Sequence, residues 1–482
     1  MNKKLLTILI IFTIMMSIFV GSASAQAYNA HFTTAITYVN VGTATTTTLD
    51  LLFYGSPDDT SPIVYSLPAL APNAASAIYI GNITDVPAGF QGDAIMQSDQ
   101  PMMVTLVQIV TDNAALRNRA LSNGFSAGAA QSLIGTVLKG SSDTNSIIAI
   151  QNADSVKNTV VVKFYNTAAV QQFEVTQDIE SGASFYIDVG QLASFPANFS
   201  GSAVATATKT VGGGDGAIVS SVMELNIVGK GLKAFEGVAS GAKLVYMPSA
   251  LCNVFGGQNT AYAIQNADLV NDTTVTVTYS TSTGGTYTAS ADIGPGAKAT
   301  FIACDKMPQN TFGSAVVEST VTDIIAIGKT FGAGMSSGFI GVSSGSVKNV
   351  LPYVRWATNA NWFGLNKDKG QRVFLAIQNL GTDFAVGDVI TVAYTKPDGS
   401  VAGTDTITVG DADCLHLLHG EKCTSDASKA GLTEFGYWPD GSFGGAAIVT
   451  GPTASQLATI ARLNSLTSYP PAVYVAEDYN GQ

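Results

Sequence analysis

The stretch Ala263-Ile264-Gln265-Asn266 returns as Ala149-Ile150-Gln151-Asn152 and as Ala376-Ile377-Gln378-Asn379, with a degenerate first copy in Thr37-Tyr38-Val39-Asn40. Successive asparagines stand 112, 114 and 113 residues apart. That spacing is the length of one small β-sandwich domain, and so regular a period marks a tandem array of one folding unit. A second motif keeps the same phase. Phe312-Gly313-Ser314-Ala315-Val316 answers to Phe199-Ser200-Gly201-Ser202-Ala203-Val204, to Phe443-Gly444-Gly445-Ala446-Ala447-Ile448 and to Phe90-Gln91-Gly92-Asp93-Ala94-Ile95.

The third copy predicts a run of short strands. Residues 261–265 form the first, the Asn266-Ala267-Asp268 and Asn271-Asp272 pieces turn the chain, and 273–279 alternate Thr with Val as a half-buried strand does. Gly284-Gly285 and Gly294-Pro295-Gly296 set further turns around strands at 286–293 and 297–303, and two more follow at 312–316 and 323–330. Turn signals every 8–12 residues in this pattern indicate an all-β chain of four tandem immunoglobulin-like sandwiches. Within it Ile264 and Phe312 read as core residues, the glycines as turn or close-approach positions, and Asn266 as a turn cap bonded to nearby backbone.

An apolar strand type, seen at 245–248, lies between consecutive copies and leaves the phase open. If it begins each unit, the first repeat lacks it and 472–476 is a spare strand able to fill a neighbour's open sandwich. If it closes each unit, nothing is left over. The second phase is preferred because self-contained domains need no partner to hide their edges, giving repeats at 26–140, 141–250, 251–355 and 356–482.

Ahead of the repeats, Lys3-Lys4, the apolar run 5–20 and Ala23-Ser24-Ala25 read as a cleaved signal peptide, 1–25, and place the mature chain outside the cytoplasm, secreted or at the cell surface. No segment is long enough to predict a membrane-spanning helix. With charged residues at 12% and a net charge of −12, the chain lacks the basic face that nucleic acid or anionic lipid needs. In an oxidising compartment the four cysteines predict two local bridges, Cys252–Cys304 and Cys414–Cys423.

The fourth repeat departs from the others. It spans 65 residues from Gln378 to Phe443, against 47 from Gln265 to Phe312, and the extra length falls around 411–436. Asp411, Asp413, His416 and His419 are candidate metal ligands there, with His416 and His419 spaced as on a helical turn, but their leucine neighbours and the cysteines favour a disulfide-closed surface loop. Calcium on the Asp411-Ala412-Asp413 turn is the other cation considered, without the full ligand series of a calcium loop. Trp356, Trp362, Tyr437 and Trp438 are candidates for an aromatic platform that stacks on glycans of the cell envelope, against the plainer reading that they pack a junction and a core. Three histidines in all, with no nucleophile elbow, paired acidic motif or phosphate-cradling loop, argue against an enzyme and against a cofactor.

The Ile-Gln-Asn strand, the alternating strands ending in Tyr165, Tyr279 or Tyr394, the Gly-Pro-Gly turn and the Phe-Gly-Ser-Ala-Val strand resemble tandem sandwich repeats of exported bacterial cell-surface proteins, surface-layer-like proteins among them. The resemblance implies a non-enzymatic structural protein that assembles with itself into a layer, sheath or filament. The alternative is a secreted adhesin or glycan-binding protein with its site on the fourth repeat.

Overall fold

The alternation of Thr and Val becomes strand Thr273–Thr281, which buries Val275, Val277 and Tyr279 and turns Thr274, Thr276 and Thr278 outward. In this computed structural model, which describes residues 31–111, 119–226, 231–332, 335–358, 371–436, 444–466 and 474–482, every named sheet pairing is antiparallel and the only helical turns are three short 3₁₀ segments. No helix among the described residues is long and apolar enough to cross a membrane. The segment expected to be a signal peptide lies outside the described residues.

The third repeat shows the plan. One sheet runs in the order Leu244–Cys252, Thr311–Ser319, Thr273–Thr281, Thr286–Ile293, and the other Lys298–Ile302, Asn259–Asn266, Ile324–Gly332, Met335–Ile340. Val275, Val277 and Val317 of the first sheet meet Tyr262, Ile264, Ile324 and Phe339 of the second in one buried cluster, consistent with a β-sandwich. Full burial of each such side chain stabilises the unit by roughly 1.5–3 kcal/mol. The glycine that opens the Phe-Gly-Ser-Ala-Val strand is required by close approach: a Cβ on Gly201 or Gly313 would sit 2.1 Å from the Tyr165 carbonyl oxygen or 1.8 Å from that of Ser280. The ring before it is less uniform than expected. Phe199 is buried against Phe195, whereas Phe312 is half-buried at the rim between Phe255 and Lys422.

Strand pairing reverses the preferred phase. Leu244–Cys252 pairs with Thr311–Ser319 of the third repeat, Gln131–Ser141 pairs with Phe199–Lys209 of the second, and Lys348–Leu351 pairs with Ala446–Thr450 of the fourth. The boundaries placed at 140/141, 250/251 and 355/356 therefore cut in the wrong place, because each of these strands opens the sandwich that follows it. Nor is the C-terminal strand a spare. Tyr474–Asn480 pairs with Leu457–Leu466 just as Met335–Ile340 pairs with Ile324–Gly332, Leu232–Glu236 with Ile218–Asn226, and Ala120–Asn123 with Met102–Val110. The first repeat does lack an opening strand among the described residues: its sheet holds only Ile63–Ser66, Leu49–Tyr54 and Asp93–Ser98.

These four last strands meet one another in a closed circuit. The backbone N–H of Asn123 donates to Glu236, Lys233 Nζ to Ser336 Oγ at 3.2 Å, Asn480 exchanges bonds with Ile340 at 3.0 and 2.8 Å, and Asn123 Nδ2 returns to the Asn480 carbonyl at 2.8 Å. Repeats one to four are thus joined first to second, second to third, third to fourth, and fourth back to first.

Candidate functional site

The repeated asparagine is the fixed point of each unit. Asn40, Asn152, Asn266 and Asn379 are all wholly buried. Each Nδ2 donates to two carbonyls, one just after the strand and one across the loop: Ala44 and Leu70, Val156 and Ile179, Asn271 and Ile293, Thr382 and Leu417. Each Oδ1 accepts the N–H two residues on, from Gly42, Asp154, Asp268 or Gly381. A short amide satisfies three backbone groups that the turning chain would otherwise bury unpaired.

The neighbouring glutamine reaches out of its repeat. Gln265 Nε2 donates at 3.2 Å both to Gly296 of its own turn and to Ala203 of the second repeat, and Gln378 Nε2 bonds Gly420 at 2.7 Å and Ala315 of the third repeat at 3.0 Å. The serine of the second motif completes each joint, Ser202 Oγ donating to Gly296 and Ser314 Oγ to Gly420. The first and second repeats meet differently: Gln151 is half-buried and its Nε2 donates to Gly182 of its own repeat, and Asp93, in the serine's place, accepts from Tyr186 at 3.0 Å. Val39, which stands where the others have glutamine, packs on Val350 and Ala446 of the fourth repeat.

Most of the buried charge is spent at these joints. Between the second and third repeats, Glu224 takes Lys329 at 2.6 Å and Lys233 at 3.5 Å. Burial alone would raise the Glu224 carboxyl, but the lysines outweigh it and hold it low. Lys298, 4% exposed, shares Thr136 Oγ1 with Lys329, and burial followed by the Lys329 charge pushes its ammonium down to about 7. Between the third and fourth, Arg462 grips Asp478 at 2.8 Å while reaching Thr330 and Ser249. Between the fourth and first, Arg119 pairs with Glu477 at 3.1 Å and bonds Ser465 and Tyr353. Pairs of this kind fix which surfaces meet more than they add stability, since desolvation offsets most of the Coulomb gain.

The fourth-repeat loop holds its histidines apart. His416 Nδ1 meets Glu421 at 2.6 Å, whereas His419 turns toward the third repeat, its Nδ1 to the Gly381 carbonyl at 2.8 Å and its ring edge-on to Tyr246. Asp413 pairs with Lys429 at 3.1 Å, Asp411 makes a backbone bridge to Cys414, and no group of three or more potential ligands gathers among the described residues. Cys252–Cys304 and Cys414–Cys423 are both bridged, which fits an oxidising, extracellular environment. Trp356 packs edge-on against Phe374 under the Arg372 guanidinium; Trp362, Tyr437 and Trp438 lie outside the described residues. Leu415, Leu418 and Val386 are exposed at this end of the repeat.

The joints were not visible as a site in the sequence, because each pairs residues far apart in the chain. No family model matches the chain, and no curated protein matches it. One solved structure, described as the crystal structure of a tetra-tandem repeat in the extending region of a large adhesion protein, is 10% identical over 91% of this chain and 92% of that one, with a TM-score of 0.10; so poor a superposition carries no argument.

Proposed function

We propose that the chain is a non-enzymatic structural protein of the cell surface, exported by its leader, built of four immunoglobulin-like sandwich domains locked into one block, and assembling with further copies into a layer or sheath. The observation that carries this reading is the use of buried polar groups. Glutamine, serine, arginine, lysine and glutamate are placed to join one repeat to the next, so the chain invests its specificity in shape. The exposed Leu415 and Leu418 on the fourth-repeat loop, with Val386 exposed in the turn before Val389–Thr395, offer apolar contacts for a neighbouring copy. Trp356 gives no support to a glycan platform, because its ring is committed to Arg372 and Phe374.

The test is the size distribution of purified 26–482, by light scattering and negative-stain imaging, with and without calcium. Ordered sheets or large regular particles, weakened by Leu415→Ser with Leu418→Ser, are the expected result. A clean monomer under every condition overturns the self-assembly reading.

A further inference from the structure

The seam between the first and second repeats is fastened by a different chemistry from its neighbours. At the second-to-third and third-to-fourth joints the fastening group is a serine hydroxyl, Ser202 on Gly296 and Ser314 on Gly420, which donates at any pH. In the first repeat the matching residue of the Phe-Gly-Ser-Ala-Val strand is Asp93. A carboxyl donates only while it carries its proton.

The geometry around Asp93 turns on one hydrogen. Tyr186 Oη of the second repeat lies 2.7 Å from the Gly92 carbonyl oxygen and 3.0 Å from Asp93 Oδ1. A phenol has one hydrogen to give, and a carbonyl has none. With Asp93 ionised, the carbonyl and the carboxylate compete for that hydrogen, and only one receives it. With Asp93 protonated both contacts are filled, Tyr186 donating to Gly92 and Asp93 donating to the Tyr186 oxygen. Asp93 and Tyr186 are half-buried as whole residues, but their polar ends are the enclosed part. Burial and then the Asp93 charge push the phenol well above its ordinary value of 10, so it keeps its hydrogen. Burial raises the Asp93 carboxyl as well, against the opposing bonds of Tyr186 and Ser184.

The other titratable groups of the seam are few. Tyr54 stands opposite Asp93 in the sheet pairing, Asp58 and Asp59 follow on the next turn, and Lys157 pairs with Glu180 at 2.5 Å on the second-repeat side. Nearer the circuit of last strands, Glu236 accepts the Asn123 N–H, and burial raises its carboxyl too. Carboxyls at the other joints meet cations instead: Glu224 with Lys329, Asp478 with Arg462, and Glu477 with Arg119.

We propose that Asp93 is a proton-operated latch: protonated, it closes the joint between the first and second repeats, and its ionisation loosens the block at that seam as pH rises. Asp93 binds its proton more tightly in the closed seam than in an opened one, where it has the ordinary carboxyl value of 3.8. Its contribution to closure is therefore fully present below pH 3.8, declines as pH rises, and is lost once Asp93 is ionised in the closed seam.

The reporter is the backbone N–H of Glu180, which donates to the Pro57 carbonyl across the seam at 2.7 Å. Its hydrogen exchange is followed in the purified protein from about pH 4 to about pH 7 and expressed as a protection factor, which removes the base-catalysed rise of exchange itself. Protection is expected to fall by up to about tenfold per pH unit above 3.8 and then to level off. Asp93→Asn, an isostere of the protonated acid whose amide donates at every pH, should keep the protection found at low pH and lose that slope. Asp93→Ser, which installs the residue found at 202 and 314, should lose the slope as well, so the test does not hang on one variant folding. In Glu236→Gln the slope due to Asp93 should remain. Protection that does not change with pH in the unaltered protein overturns the proposal, and so does an Asp93→Asn protein that keeps the full slope. Low protection in Asp93→Asn at every pH also overturns it, because Asp93 then only props the seam, and loss of the slope in Glu236→Gln overturns it by making Glu236 the titrating group.

Discussion

Replacing Asn266 by alanine removes a side chain that makes four bonds in a wholly buried place: Nδ2 to the Asn271 and Ile293 carbonyls at 2.7 and 3.2 Å, and Oδ1 from the Asp268 N–H at 3.0 Å and the Thr322 hydroxyl at 2.7 Å. Each such bond contributes about 1 kcal/mol net, and a partner left buried and unpaired costs about 1–3 kcal/mol, so the expected loss is about 4 kcal/mol. Asn271→Ala is the control, because Asn271 serves the node through its backbone carbonyl, which alanine keeps; it should cost under about 0.5 kcal/mol. Urea unfolding followed by far-UV circular dichroism, with hydrogen exchange to locate the loss in the third repeat, measures both variants. The same substitution at Asn40, Asn152 or Asn379 should produce a comparable local loss, since the three backbone bonds recur at each. A cost at Asn266 no larger than at Asn271 refutes the structural role of the repeated asparagine.

Three further outcomes follow from the joints and bridges. Gln378→Leu gives up bonds to Gly420 and to Ala315 of the preceding repeat, so it should loosen the third-to-fourth joint by about 2 kcal/mol, while Gln151→Leu should cost about 1 kcal/mol or less, both read by hydrogen exchange at the joints. Lys298 binds its proton more weakly folded, at about 7, than unfolded, at 10.5; its burial cost is fully present below pH 7 and relieved as pH rises toward 10.5. Its contribution to stability should therefore rise between pH 7 and 9.5 by up to about 1.4 kcal/mol per unit, and Lys298→Met should flatten that rise in denaturant titrations. Removing the Cys252–Cys304 bridge, which spans 52 residues, should cost about 4 kcal/mol by chain entropy, against about 2.5 kcal/mol for Cys414–Cys423 across 9, as measured with paired Cys→Ser variants.

The strands were legible because their signal is local: Thr and Val alternate along 273–281, and glycine, asparagine and proline mark the ends. The asparagine read correctly as a turn cap for the same reason, its bonds lying mostly within a few residues. The phase did not read correctly. The opening strand follows the previous repeat in sequence, but its partner is far along the chain, Leu244 facing Glu318, and with both faces buried it carries no alternation to show which core it joins. The second role of Gln265 was hidden too, since its acceptor at Ala203 lies 62 residues back. One signal for the joints was present: in a chain with few charges, Glu224, Lys233 and Lys329 lie within apolar strands, where charge needs a partner.

The central claim is that the repeats form one closed block instead of beads on a string, and small-angle scattering of monomeric 26–482 tests it most directly. The circuit of last strands predicts a radius of gyration of about 23 Å, the value for a compact chain of this length. Four sandwiches strung end to end would make a rod with a radius of gyration of about 40 Å or more, and that result would contradict the account.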